Sequence, residues 1–171
     1  MSTANNINIH PVDLQNTSQP EVVNILQTFL FEAIFVPDGV EAPPVSIVQN
    51  ADLRVYYDGF GTGTADILVV AEDTNDNRIV GAAWSRIMND YGHIDDETPS
   101  IAIALYKECR GQGVGTALLE GLLAQIRARG YKRVSLAVQK ANFAVKLYRK
   151  LLFEVVDENG EEFIMLRRFD E

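Results

Sequence analysis

Arg110-Gly111-Gln112-Gly113-Val114-Gly115-Thr116 lies between an apolar run, Ile101 to Leu105, and a stretch from Thr116 to Arg129 with apolar residues at helical spacing. A strand, a glycine-rich turn and a helix N-terminus in that order form a natural anion site. The first N–H groups of a helix lack carbonyl partners within it, and the aligned peptide dipoles add positive potential. Glycines let the backbone approach a phosphate with no side chain in the way. Arg110 at the mouth adds a charged fork. The chemistry implied is binding of a diphosphate-bearing ligand by Arg110, Gly111, Gln112, Gly113, Val114, Gly115 and Thr116.

Two nucleotide-binding patterns fit poorly. A Walker turn needs Lys and Ser or Thr after its last glycine, whereas Gly115 is followed by Thr116-Ala117. A dinucleotide turn reads G-x-G-x-x-G, with an acidic residue roughly 20 positions on. This turn reads G-x-G-x-G, and the next strand ends in Val138-Gln139-Lys140. Taken alone, the seven residues also fit a glycine-rich helix entrance that binds nothing.

The residues that follow narrow the choice. Gly130 stops the helix, Lys132–Val138 reads as a strand, and Asn142 opens a second helix through Tyr148 to about Leu151. Short strands Phe153–Val156 and Glu161–Leu166 then flank the turn Asp157-Glu158-Asn159-Gly160. With Arg-x-x-Gly-x-Gly before it, this order resembles the GNAT superfamily, N-acyltransferases that use acyl-coenzyme A. Their second hallmark has the form N-x-x-A-x-x-L-Y-x-x-x-G-F. The sequence here is Asn142-Phe143-Ala144-Val145-Lys146-Leu147-Tyr148-Arg149-Lys150-Leu151-Leu152-Phe153. Asn142 and Leu147-Tyr148 are in place, Ala144 comes one position early, and Leu152 stands where glycine is usual. The resemblance covers residues 78 to 168; residues 1 to 65 match only by element order.

The resemblance implies a single α/β domain over 1–171, with a mixed, mostly antiparallel central sheet flanked by helices. It implies direct transfer of an acetyl group from acetyl-CoA, a co-substrate, to a primary amine of a small molecule or peptide. Residues Arg110 to Thr116 would hold the cofactor pyrophosphate. The strand around Ile103, Ala104 and Leu105 would splay from its neighbour and pair with the pantetheine arm, with the Leu105 N–H facing the thioester oxygen. Tyr148 would be the acid that protonates the departing thiolate; a free thiol has a pKa of ~8.5 and tyrosine ~10. Asn142 would cap its helix, bond the cofactor, or both.

A general base is harder to name. Many relatives carry a glutamate at the start of the strand leading to the turn, and Ser100 occupies that position here. Glu97 is the expected base, acting through a water, with Asp95, Asp96 and His93 close in sequence. Cys109 has no His or Asp placed to activate it and reads as structural. Trp84 fits either an acceptor pocket or the core. A non-catalytic acyl-CoA-binding or regulatory domain is the alternative, because Ser100 and Leu152 both depart from the family pattern. Homodimers are common on this fold, and nothing in the sequence decides for or against one.

Composition agrees with one ordinary domain. The chain has 171 residues, 47% hydrophobic and 23% charged, enough for a real core. A net charge of −9 makes nucleic acid an unexpected partner. No apolar run is long enough to span a membrane, and the polar start from Met1 to Asn8 lacks a signal-peptide core. One cysteine excludes an internal disulfide, which suits the cytoplasm. Two scattered histidines and that cysteine make no zinc site.

Upstream, Asn6–Val12 reads as a strand, and Pro20 opens a helix with Val22, Val23, Leu26, Phe29, Leu30 and Ala33 on one face. A second helix is expected somewhere in Ser46–Tyr57. Asp58-Gly59-Phe60-Gly61-Thr62-Gly63-Thr64 runs into a strand and reads as a turn or a mobile substrate loop, the plain turn preferred. A hairpin follows, Ala65–Ala71 and Ile79–Ile87 around Asp73–Asn77. Residues 88–98 form a polar, acidic loop. The acceptor would enter between this loop, Phe35–Val48 and residues 58–64.

Overall fold

Seven strands form one sheet in the computed structural model, which describes residues 6–169. In chain order the elements are β1 (Ile7–Pro11), α1 (Gln19–Ala33), α2 (Ala51–Arg54), β2 (Ile67–Asp73), β3 (Arg78–Arg86) and β4 (Ser100–Leu105). Then come α3 (Val114–Ala128), β5 (Arg133–Gln139), α4 (Ala144–Lys150), β6 (Glu154–Glu158) and β7 (Glu162–Arg168). The strand order is β1-β2-β3-β4-β5-β7-β6, and every neighbouring pair is antiparallel except β4 with β5. This is the mostly antiparallel α/β sheet that the resemblance implied.

Each face of the sheet has its own core. Leu118, Leu119, Leu122 and Ile126 of α3 pack with Val69, Ala83, Val134, Leu136 and Met165. Val22, Leu26, Phe29 and Leu30 of α1 pack on the opposite face with Leu68, Val70, Ala82 and Trp84. Coverage on both sides explains why β2 runs Ile-Leu-Val-Val-Ala without a polar residue. Helix α1 starts where the sequence says, with the Ser18 hydroxyl accepting the Glu21 N–H at 3.3 Å and a proline in the first turn.

One upstream reading changes in detail, and another settles on its preferred form. The expected helix within Ser46–Tyr57 is a 3₁₀ turn, Val45–Gln49, followed by the single turn α2. Asn50 breaks them apart because its ψ of 144° is extended. The glycine-rich stretch is a fastened turn. The Asp66 carboxylate accepts N–H groups from Gly61 (2.9 Å) and Gly63 (3.1 Å) and a bidentate fork from Arg86 at 3.1 and 3.0 Å. The third arm of that guanidinium, Nη1, donates to the carbonyls of Val55 (3.0 Å) and Asp58 (2.7 Å).

Leu152 closes α4 in a strained way. The Phe153 N–H bonds the Tyr148 carbonyl at 2.9 Å and the Leu152 N–H bonds that of Arg149 at 3.0 Å, the paired bonds of a Schellman ending. Such an ending puts the residue after the cap in the left-handed region, and Leu152 sits there with φ 70° and its side chain 65% exposed. Glycine takes that conformation without penalty, whereas a residue with a Cβ is strained by ~1–2 kcal/mol. Leu152→Gly is therefore expected to stabilise the fold by about 1 kcal/mol, part of the gain being offset by a freer unfolded chain. The urea midpoint checks it, and a lower midpoint would refute the strain.

Candidate functional site

Strands β4 and β5 meet at one end only. Their register contains a single pair, Ser100 with Ser135, backed by the Ser135 N–H bonding the Pro99 carbonyl at 2.9 Å. Beyond that point β5 gives β4 no partners. Backbone groups alternate sides along a strand, and the Tyr106 N–H points to the Val80 carbonyl of β3 at 3.0 Å. The N–H groups of Ile103 and Leu105 therefore face the gap, while Ala104 faces β3. Of the three residues expected at this edge, Ile103 and Leu105 present free donors.

The glycine turn opens beside the same gap. Gly111 (φ 76°) and Gly113 (φ 83°) both adopt left-handed backbone, and no atom lies within 4 Å of where a Cβ would sit on either. Helix α3 begins at Val114, two residues earlier than the periodicity suggests, because Gly113 itself ends the turn. The first helical bond runs from the Ala117 N–H to the Gly113 carbonyl at 3.1 Å, and no side chain caps the helix. The N–H groups of Val114, Gly115 and Thr116 are thus left facing outward. At Gly115 an added Cβ would make only ordinary contacts, 3.5 Å from a Leu105 methyl and 3.8 Å from one of Leu147.

Arg110 does not project across the mouth. Its Nε and Nη2 donate to the Leu105 carbonyl at 3.3 and 3.1 Å, tying the turn to the end of β4. Gln112 donates to the Glu108 carbonyl at 3.2 Å, and its Oε1 is buried without a partner. The Asn142 Oδ1 accepts the Ala144 N–H at 2.9 Å and so organises the start of α4. Tyr148 packs into the core under α3, its ring edge-on to Phe153 at 5.8 Å. Its hydroxyl makes no hydrogen bond among the described residues. Burial raises its pKa, so the phenol keeps its proton.

The acidic loop of residues 88–98 is arranged differently from the sequence expectation. Glu97 is exposed, and its carboxylate makes no hydrogen bond or ion pair among the described residues. Asp95 is bound to Arg133 and to the Thr98 hydroxyl, which accepts from Arg133 Nε at 2.8 Å; these bonds hold its pKa down. Asp96 is 3.7 Å from His93 Nε2 at the surface, and His93 Nδ1 is buried without a partner.

The carboxylate at Ser100 is Asp90. Its Oδ1 accepts the Ser100 hydroxyl at 2.8 Å and its Oδ2 the Tyr56 hydroxyl at 2.9 Å. Sequence reasoning missed Asp90 because ten positions of irregular loop separate it from Ser100 and no spacing rule links them. Trp84 is fully buried in the α1-side core. Burial raises the Cys109 pKa and keeps the thiol protonated, as a structural cysteine requires. Among the described residues no cluster of His, Cys, Asp or Glu could hold a metal, and no helix is long and apolar enough to cross a membrane.

The family model of the GNAT acetyltransferases matches residues 33–153, most of the chain. The chain belongs to the GNAT acetyltransferase family. Acetyl-CoA is the co-substrate of GNAT enzymes, and the parted strands and open helix end described above lie within the matched stretch. The chain is similar to a protein named mycothiol acetyltransferase from Streptosporangium roseum, 33% identical over 79 residues. That match spans 45% of this chain but only 23% of the relative, so the similarity covers under a quarter of it. A GCN5-related N-acetyltransferase from Kribbella flavida shares the fold at a TM-score of 0.66 and 17% identity, over 97% of this chain and 99% of that one. A GNAT acetyltransferase from Elizabethkingia anophelis, solved with acetyl-CoA bound, gives 0.59 at 21% identity, over 96% and 99%.

Proposed function

We propose that this GNAT protein transfers the acetyl group of acetyl-CoA directly to a primary amine of a small molecule or peptide, in the cytoplasm. The observation that carries the reading is the parting of β4 and β5 after Ser100–Ser135, beside the uncapped N-terminus of α3. A wedge with free Ile103 and Leu105 N–H groups suits an amide-bearing pantetheine arm, and the open N–H groups of Val114 to Thr116 suit its pyrophosphate. The Leu105 N–H would donate to the thioester oxygen as negative charge grows there; a preorganised donor of this kind is worth ~10²–10³ in rate. Tyr148, which burial keeps protonated, would supply the proton to the leaving thiolate.

Thiol release from acetyl-CoA tests the reading, run against polyamines, amino acids, aminoglycosides and N-terminal peptides. Release with one acceptor class is the expected result. Failure to bind acetyl-CoA would overturn the assignment of the turn and the wedge together.

The turn has its own test. Gly113→Glu is expected to abolish acetyl-CoA binding, because its carboxylate would stand in the pyrophosphate position. Gly113→Ala carries the same backbone strain at φ 83° without the charge and meets no atom within 4 Å. Calorimetric affinities of the two variants separate strain from repulsion: equal losses would point to strain alone, and an unchanged Gly113→Glu affinity would refute the pyrophosphate placement.

A further inference from the structure

The geometry points to Asp90 as the group that takes the proton from the acceptor ammonium, with Tyr56 and Ser100 as its positioning residues. This inference rests on the acetyl-transfer reading above and names the base that the sequence left open.

Two side chains bond the Asp90 carboxylate, and its loop is pinned to the sheet two residues on. Ser100 begins β4 at the position where the resemblance leads one to expect a glutamate, and its hydroxyl donates to Oδ1 at 2.8 Å. Tyr56, just after α2, donates to Oδ2 at 2.9 Å. From the third side, the loop that carries Asp90 is pressed onto β5. A Cβ on Gly92 would stand 2.9 Å from both the Leu136 carbonyl carbon and the Ala137 nitrogen, so only glycine allows the crossing. The Gly92 carbonyl also accepts the Ser135 hydroxyl at 2.7 Å. Ser100 and Ser135 are the one residue pair that joins β4 to β5. Asp90 is thereby fixed across the point from which the two strands part, on the α1 side of the sheet.

The other acidic residues of the loop lack this placement: Asp95 is consumed by Arg133 and Thr98, and Asp96 and Glu97 are exposed. Each carboxylate oxygen has two lone pairs and accepts one side-chain hydrogen bond, Oδ1 from Ser100 and Oδ2 from Tyr56. Burial pushes its pKa up, against the lowering effect of those two bonds, which makes it a better proton acceptor than a surface aspartate. Glu162 of β7 and Tyr91 of the same loop act electrostatically on Tyr56, and the Tyr91 hydroxyl donates to Asp52 of α2 at 2.8 Å. His93 contributes its backbone N–H to the Asp90 carbonyl at 3.2 Å. The charged groups around the site are of both signs: Glu162 and Asp52 are acidic, whereas Arg86, opposite Ser100 in the register of β3 with β4, is paired with Asp66, and Arg54 with Asp58.

In the reaction, one N–H bond of the ammonium breaks and its proton passes to Asp90 through water, because Ser100 lies five residues, ~16 Å of strand, from the Leu105 N–H. The freed lone pair forms the N–C bond with the thioester carbonyl, and the C–S bond breaks. The thiolate takes a proton from Tyr148, which is replaced through water by the second proton the nitrogen sheds. Asp90 returns its own proton to solvent. The balance is ammonium plus acetyl-CoA giving amide, free thiol and one proton.

The test is the pH dependence of kcat/KM, measured with the amine found by thiol release, for the native protein and for Asp90→Asn, Tyr56→Phe and Glu97→Gln. Asp90→Asn is expected to lower kcat/KM by ~10²–10³-fold, to lose the acidic limb of the profile, and to keep its acetyl-CoA affinity. Tyr56→Phe is expected to move that limb to higher pH, since it removes a donor that stabilises the carboxylate. An Asp90→Asn protein with native rate and limb overturns the proposal, as does loss of the limb in Glu97→Gln instead. Where Asp90→Asn does not melt as a folded protein, an unmoved limb in Tyr56→Phe overturns it. A native protein that neither binds nor turns over acetyl-CoA removes the acetyl-transfer reading, and Asp90 falls with it. Native turnover with an indifferent Asp90→Asn removes Asp90 alone.

Discussion

Tyr148→Phe is expected to lower kcat by ~10²–10⁴-fold, the usual worth of general-acid help, with acetyl-CoA affinity and melting temperature close to native. The ring is buried against Phe153 in the core beneath α3, and phenylalanine keeps that packing. The hydroxyl holds no protein partner among the described residues, so its removal orphans nothing. Burial raises the Tyr148 pKa, which keeps the proton in place but also weakens the group as an acid. The same dry surroundings raise the proton affinity of a nascent thiolate, so transfer becomes favourable as the C–S bond breaks. A loss of turnover without loss of affinity marks an interaction made in the transition state. Separate measurement of kcat and of the acetyl-CoA Kd checks this, and full turnover in the variant would remove Tyr148 from the mechanism.

Arg86→Met has the largest expected effect on stability, a loss of about 3–5 kcal/mol, as when one partner of a buried pair is removed. Arg86 and Asp66 are 9% and 3% exposed, so water cannot replace what is lost. The Asp66 carboxylate would keep only the Gly61 and Gly63 N–H groups, and the Val55 and Asp58 carbonyls would lose their donor. Guanidinium denaturation measures the loss. Adding Asp66→Asn should recover part of it, because the uncompensated charge is then gone. A single variant within about 1 kcal/mol of native, the usual range for exposed pairs, would show that the pair is not the fastener of the 55–66 segment.

Much of the fold could be read locally. The strand before Arg110, the helix after it, Asn142 with Leu147-Tyr148, and the closing hairpin each carry their own periodicity or turn chemistry. Leu152 was visible as a departure from the family pattern, but the left-handed backbone that makes it matter appears only in the folded α4 ending. The site readings that changed depend on partners the sequence does not mark. Arg110 looked like an outward fork because sequence cannot show that the Leu105 carbonyl is free to receive it. Glu97 looked closest to Ser100 along the chain, whereas Asp90 is closest in space, brought there by a loop whose path depends on a glycine meeting β5. Glycine-rich Asp58–Thr64 reads as a plain turn in the sequence and is one, but the Asp66–Arg86 pair that fastens it has no local signal.

The single rung between Ser100 and Ser135 makes the sheet two leaves joined by one pin. One leaf is β1 to β4, on which α3 packs, and the other is β5, β7 and β6. An extended chain of amides entering between the leaves would act as a missing strand and restore continuity to the sheet. The co-substrate would then be a structural member for as long as it is bound, and its departure after each turnover would return the protein to a book held open at one edge.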